Sequence, residues 1–259
     1  RNVTVALGAN PGGGTLSGTL TVSAVGGIAT FSTLSIDKVG AGYTLVASSP
    51  NPTPLTQATS APFNITAGSA SQLAFVQQPG TVASNAPITP AITVQLLDAG
   101  GNPVTGPQRS ITLALGANPG GGTLGGTVSV ATVNGLATFS NISIDKAGAG
   151  YTLVASSASP NPPLTQATSS AFTVTPGTAS QLGFVQQPGT AASGASISPP
   201  VTVQLLDAAG NAVTGPQRNV IIALGANPGG GTLSGTTSVA TVNGLATFGA
   251  LSIDKVGNG

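Results

Sequence analysis

The run Ala114-Leu115-Gly116-Ala117-Asn118-Pro119-Gly120-Gly121-Gly122-Thr123-Leu124 decides how this chain folds, because it occurs three times. Its copies are anchored at Asn10, Asn118 and Asn227, spaced 108 and 109 residues apart. Other blocks recur in the same order: SQLAFVQQPGT and SQLGFVQQPGT, ITVQLLDA and VTVQLLDA, VNGLATF twice, and SIDKVG or SIDKAG three times. The extra residue falls where SSPNPTPLTQ after Tyr43 becomes SSASPNPPLTQ after Tyr151. A period near 110 is too long for a solenoid repeat and suits complete domains strung as beads. We therefore divide the 259 residues into a partial unit 1–68, a complete unit 69–177 and a partial unit 178–259. The chain opens on Arg1 and has no Met, as an excerpt from a longer array would. A sharper expectation is that partial units complete each other between subunits by strand addition.

Within the complete unit the periodicity is two, never 3.6. Ile92, Val94 and Leu96 alternate with Thr93 and Gln95, and Ile111, Leu113 and Leu115 with Thr112 and Ala114. Val128 and Val130 lead to Val133, then Asn134-Gly135, then Leu136 to Phe139. Asn-Gly tolerates positive φ at both places and so signals a tight hairpin, here at Asn134-Gly135 and at Asn243-Gly244. The apolar parity slips between Phe139 and Ile142, which predicts a bulge or a break. Tyr151, Leu153 and Ala155, then Phe172 and Val174, close the unit, and Leu73 and Phe75 open it. About seven short strands with frequent turns describe an all-β sandwich.

The string Asp145-Lys146-Ala147-Gly148-Ala149-Gly150-Tyr151-Thr152-Leu153, matched at Asp37 to Tyr43 and Leu45, resembles a tyrosine corner. Asp37, Tyr43, Asp145 and Tyr151 are thus candidate structural sites. Leu45 and Leu153 stand where antibody domains carry a Cys, so packing replaces a disulfide. LLDAGGNPVTG, an alternating strand, the Gly-rich loop, VNGLATF and a GxGYTLVAS strand together resemble bacterial immunoglobulin-like repeats of invasin- and intimin-type adhesins and other long surface proteins. The resemblance covers essentially the whole chain. It implies tandem immunoglobulin-like β-sandwich domains in an extracellular or cell-surface array.

Composition narrows the chemistry. Charged residues make up only 4%, against about 25% in an ordinary domain. A net charge of +1 with scattered basic residues leaves no patch for nucleic acid. No apolar stretch reaches membrane-spanning length. There is no Cys and no His, so neither a thiolate or imidazole metal site nor a Ser-His or Cys-His catalytic pair can form. The acids are Asp37, Asp98, Asp145, Asp207 and Asp254, two per unit and in different loops. That arrangement gives no sign of a paired-carboxylate hydrolase. Asp98 with Gly100, Gly101 and Asn102 offers oxygens for a cation, but a turn in which Asp bonds its own backbone needs nothing further. The Gly-rich loop lacks the Lys-Ser/Thr of a phosphate loop. Lys146 raises a Lys–Asn crosslink, which requires burial, whereas a Gly-rich corner predicts solvent exposure. Asn2, Asn64 and Asn141 begin glycosylation sequons that are not repeated at equivalent sites.

These features predict no enzyme, no cofactor, no metal and no small-molecule substrate. The expected partners are neighbouring repeats and other copies of the chain. The expected role is a structural extracellular fibre of rigid units, each adding roughly 40 Å, associating through neutral faces into a filament. A passive adhesin stalk presenting a distant tip, or a binding module acting through its polar loops, are the alternatives.

Overall fold

The computed structural model describes residues 1–50, 53–157 and 163–257. Part of the loop that carries the one-residue length difference lies outside those residues. All regular structure among them is β-strand, arranged in many small sheets. Every strand pairing stays within residues 2–65, 72–175 or 181–253.

The central unit shows why the alternating runs fold as they do. Ile92–Leu97 pairs antiparallel with Gln72–Gln77 on one side and Leu136–Phe139 on the other. Facing it, Ser110–Leu115 pairs with Ser129–Ala131 and with Leu153–Ser156, which in turn pairs with Ala167–Thr168. Gly148–Tyr151 pairs antiparallel with Phe172–Thr175, whose far edge takes the two-residue strand Val82–Ala83 in parallel. Period-two alternation then points one side chain in two at the opposite layer. Ile92, Val94, Leu96, Ile111, Ile142, Ile144, Tyr151, Leu153 and Ala155 are fully or almost fully buried in one cluster.

The structure divides the expected seven strands into twelve segments between Gln72 and Thr175. A register shift between Ala149 and Tyr151 and a break at Thr152 split one long run into two. The parity slip resolves as a break: Leu136–Phe139 ends, and Ser143–Ile144 pairs elsewhere, with Leu124–Gly125. Val133 does not continue the apolar row. It sits at the hairpin tip, 69% exposed, bridged to Leu136. Phe184 also lies outside the core and is 50% exposed, although its counterpart Phe75 packs against that of the central unit.

The hairpin itself is fixed at Gly135. Asn134 and Gly135 have φ of 50° and 78°, and Asn243 and Gly244 have 49° and 76°, the left-handed pair that a two-residue turn requires. The carbonyl of Gly135 accepts from the Leu96 amide at 2.9 Å, which ties the turn to the neighbouring strand Ile92–Leu97. A methyl added at Gly135 would fall 1.8 Å from the Val104 carbonyl oxygen. Positive φ alone costs a non-Gly residue about 1–2 kcal/mol, and the backbone contact adds to it. Gly135→Ala is therefore expected to destabilise the chain by about 2 kcal/mol or more in urea unfolding. Gly80→Ala, where the added methyl meets nothing within 4 Å, should leave the midpoint almost unmoved.

Candidate functional site: the joint between repeats

The chemistry of this chain is concentrated where one unit meets the next. Its foundation is the corner around Tyr151. The hydroxyl donates to the Lys146 carbonyl oxygen at 2.8 Å, and Tyr43 does the same to Lys38 at 2.8 Å. Both rings are fully buried and lie beside Phe172 and Phe63, with centroids 6.1 and 6.2 Å apart. Burial pushes the Tyr151 hydroxyl up, and the nearby Asp145 charge adds to this, against the opposing pull of Gly120 and Gly122 amides. It therefore stays a proton donor at neutral pH.

The Gly-rich loop closes over that hydroxyl. Asn118 folds it back on itself, accepting from the Gly122 amide and donating to the Gly122 carbonyl at 2.8 and 2.9 Å. A side chain at Gly120 would lie 2.3 Å from the Tyr151 hydroxyl and 2.5 Å from the Ala147 carbonyl. Asp145 then accepts from the Thr123 amide at 2.6 Å, as Asp37 does from Thr15 at 2.6 Å. The Gly-rich loop, the Asp and the Tyr recur together because they make one rigid corner.

The corner docks on the turn that opens the next unit. At the first joint, the side-chain amide of Asn102 donates to the Asp37 carbonyl at 2.8 Å and accepts from the Val39 amide at 3.2 Å. At the second, Asn211 donates to the Asp145 carbonyl at 2.8 Å and accepts from the Ala147 amide at 3.0 Å. Each Asn so grips the backbone on both sides of a lysine. That lysine reaches over the turn: Lys38 donates to the Gly100 carbonyl at 2.7 Å and Lys146 to the Ala209 carbonyl at 2.5 Å. Lys146 is half-buried in this contact, which corrects the expectation of an exposed lysine. Its ammonium ends on Ala209 while the Asn211 amide faces the main chain.

A buried carboxylate holds each Asn in place. Asp98 accepts from the Asn102 amide at 2.8 Å, from the Asn102 side chain at 3.0 Å and from the linker amide of Gly68 at 2.9 Å. Asp207 accepts from Asn211 and Ala209 amides at 2.8 and 2.9 Å on one oxygen. Its other oxygen takes the Gly177 amide, the Asn211 side chain and the Ser84 hydroxyl at 2.8, 2.8 and 2.5 Å. Ser84 belongs to the preceding unit, so this bond also crosses the joint. Burial pushes both carboxyls up, but the converging donors outweigh it and hold both below the ordinary Asp range. The donors Gly68 and Gly177 are the linker itself, so Asp98 and Asp207 do more than bond their own turn.

Two carboxylates do come together here, though not the two of one unit. Asp37 and Asp98, from successive units, line one groove of about 520 Å³ at the first joint. One Asp37 oxygen accepts from the Thr15 amide, and both Asp98 oxygens accept from amide donors of the turn and the linker. Sequence reasoning placed Asn102 only in the Asp98 turn and did not single out Asn211, so the grip of both across the joint was missed. The available signal was that Asp, Lys and Asn return at the same places in a chain with almost no other charge. Asn134-Gly135 and Asn243-Gly244 lie away from the joints, at hairpin tips. Asn64 accepts from the Gly42 amide at 3.0 Å and Asn141 from the Thr127 amide at 2.9 Å, so two sequon side chains serve local turns.

The low carboxyl values set a pH dependence. A folded value below the unfolded value of about 3.9 gives stability that is complete above roughly pH 4. It is lost as pH falls from there through the folded values. Thermal stability is thus expected to be level from neutral pH to about pH 4 and to decline below it. Asp207→Asn, which turns a donor towards donors, should lower stability at neutral pH by about 1–3 kcal/mol and flatten the acid decline.

No known protein family matches the chain, and no curated protein does. Among solved structures it is similar to one described as surface layer protein SbsC, domains 4–9, at 17% identity and a TM-score of 0.28. The likeness covers 86% of this chain and 36% of that one, so the chain spans about a third of the structure it matches.

Proposed function

We propose that this chain is a non-catalytic structural segment of an extracellular fibre, made of tandem immunoglobulin-like sandwiches joined end to end. The observation that carries this reading is the placement of charge. Six of the eleven charged side chains, Asp37, Lys38, Asp98, Asp145, Lys146 and Asp207, stand at the two joints. A chain that spends its few ionic groups on holding its units in line is organised for length. The immunoglobulin-like part of the reading is supported by the Tyr151 hydroxyl bond and by the parallel pairing of Val82–Ala83 with Phe172–Thr175. A binding module would need its polar loops free, and two of them are engaged in corner and joint.

The filament form of the reading rests on the sheet edges. Thr21–Ser23, Ser129–Ala131 and Ser238–Ala240 each border their sheet and carry no charge and no Pro. Edges are commonly protected by such residues, and unprotected edges invite another chain. With neutral faces, association has little electrostatic component to screen. Electron microscopy of the native assembly tests this directly, by counting chains in cross-section. Several chains side by side, unchanged between low and high salt, are expected. Single-file chains would make the segment a surface stalk, and dissociation by modest salt would overturn association through neutral faces.

A further inference from the structure

We infer that each joint is a fixed screw operator, so that the array turns and advances by one constant step and forms a straight helical rod. The two joints share one set of bonds, to which the second adds the Ser84 hydroxyl on Asp207. An Asn amide spans the backbone on both sides of a lysine, the lysine caps a carbonyl two residues before that Asn, and a buried carboxylate takes a linker amide. Where the repeats differ in sequence at these places, the contact is made by backbone. Val39 and Ala147 offer amides, and Gly100 and Ala209 offer carbonyls, so the same bonds form despite the substitutions.

Covalent connection alone leaves two domains free to swing and twist. The paired bonds of the Asn amide remove the swing, because two bonds to residues two apart set a direction as well as a distance. The lysine ammonium, carried away from the corner by its side chain, supplies a further point that resists twist. The linker cannot yield by itself, since Gly68 and Gly177 are bound to the carboxylates. Equal joints applied in succession generate a helix with one unit per step. Equivalent surface residues, such as Val25, Val133 and Val242, then fall on one helical line. The inference concerns the geometry of the array and stands whether the rods are bundled or single.

The chain has no Cys, so paired spin labels can be placed at will. Val25, Val133 and Val242 are 82%, 69% and 70% exposed at equivalent hairpin tips. Labels at V25C with V133C, and at V133C with V242C, are expected to give narrow distance distributions with the same mean. Asn211→Ala should broaden only the second pair, leaving the first as an internal control, and Lys146→Ala should do so independently. Circular dichroism establishes that each variant remains folded. Unequal means or broad distributions in the unsubstituted background would overturn the inference. So would a second pair that stays narrow in both folded variants.

Discussion

A carboxylate buried among amide donors is the interaction on which the rest of this molecule depends. Burying an ionised group without partners is prohibitive, and Asp207 answers that with five donors from three places: its own turn, the linker and Ser84 of the preceding unit. The compensation works only if those elements are brought together. The Asp therefore orders the turn, the turn aims the Asn side chain, and the Asn grips the neighbouring corner. A local electrostatic requirement becomes a relation between domains.

The corner must be rigid for that grip to transmit anything. Tyr151 supplies rigidity by filling the core with its ring while its hydroxyl ties down the Lys146 carbonyl. The Gly-rich loop is the other half of the same device, since Gly120 leaves space for the hydroxyl. Core and joint are thus continuous. The apolar cluster from Leu73 to Val174 positions Tyr151, which positions the backbone of residues 145–147, which the next unit holds. Few charges suffice because those that link the units, Asp98, Asp207, Lys38 and Lys146, are buried or half-buried and each is hydrogen-bonded at its joint.

Much of this was legible in the residues. Alternation located Ile92–Leu97 and Ser110–Leu115 because one face of each strand is buried, which is what period two records. Asn134-Gly135 announced its turn because few other pairs accept two positive φ values. The joint was not legible, for a physical reason. Its partners lie 62 to 66 residues apart and mostly join a side chain to backbone, so no complementary pair of residue types marks them. Lys146 looked like an exposed lysine because its acceptor is a carbonyl of the next unit, invisible in its own surroundings. Val133 looked like core because alternation does not show where a strand stops and a turn begins.

Amide hydrogen exchange resolved residue by residue tests the central claim, that the joints are as ordered as the cores. The account predicts that the amides of Ala147, Gly177 and Asn211, and of Val39, Gly68 and Asn102, exchange as slowly as those of the strands they connect. Exchange of these amides at the rate of open loops, with Ile92–Leu97 still protected, would contradict it and reduce the chain to independent beads.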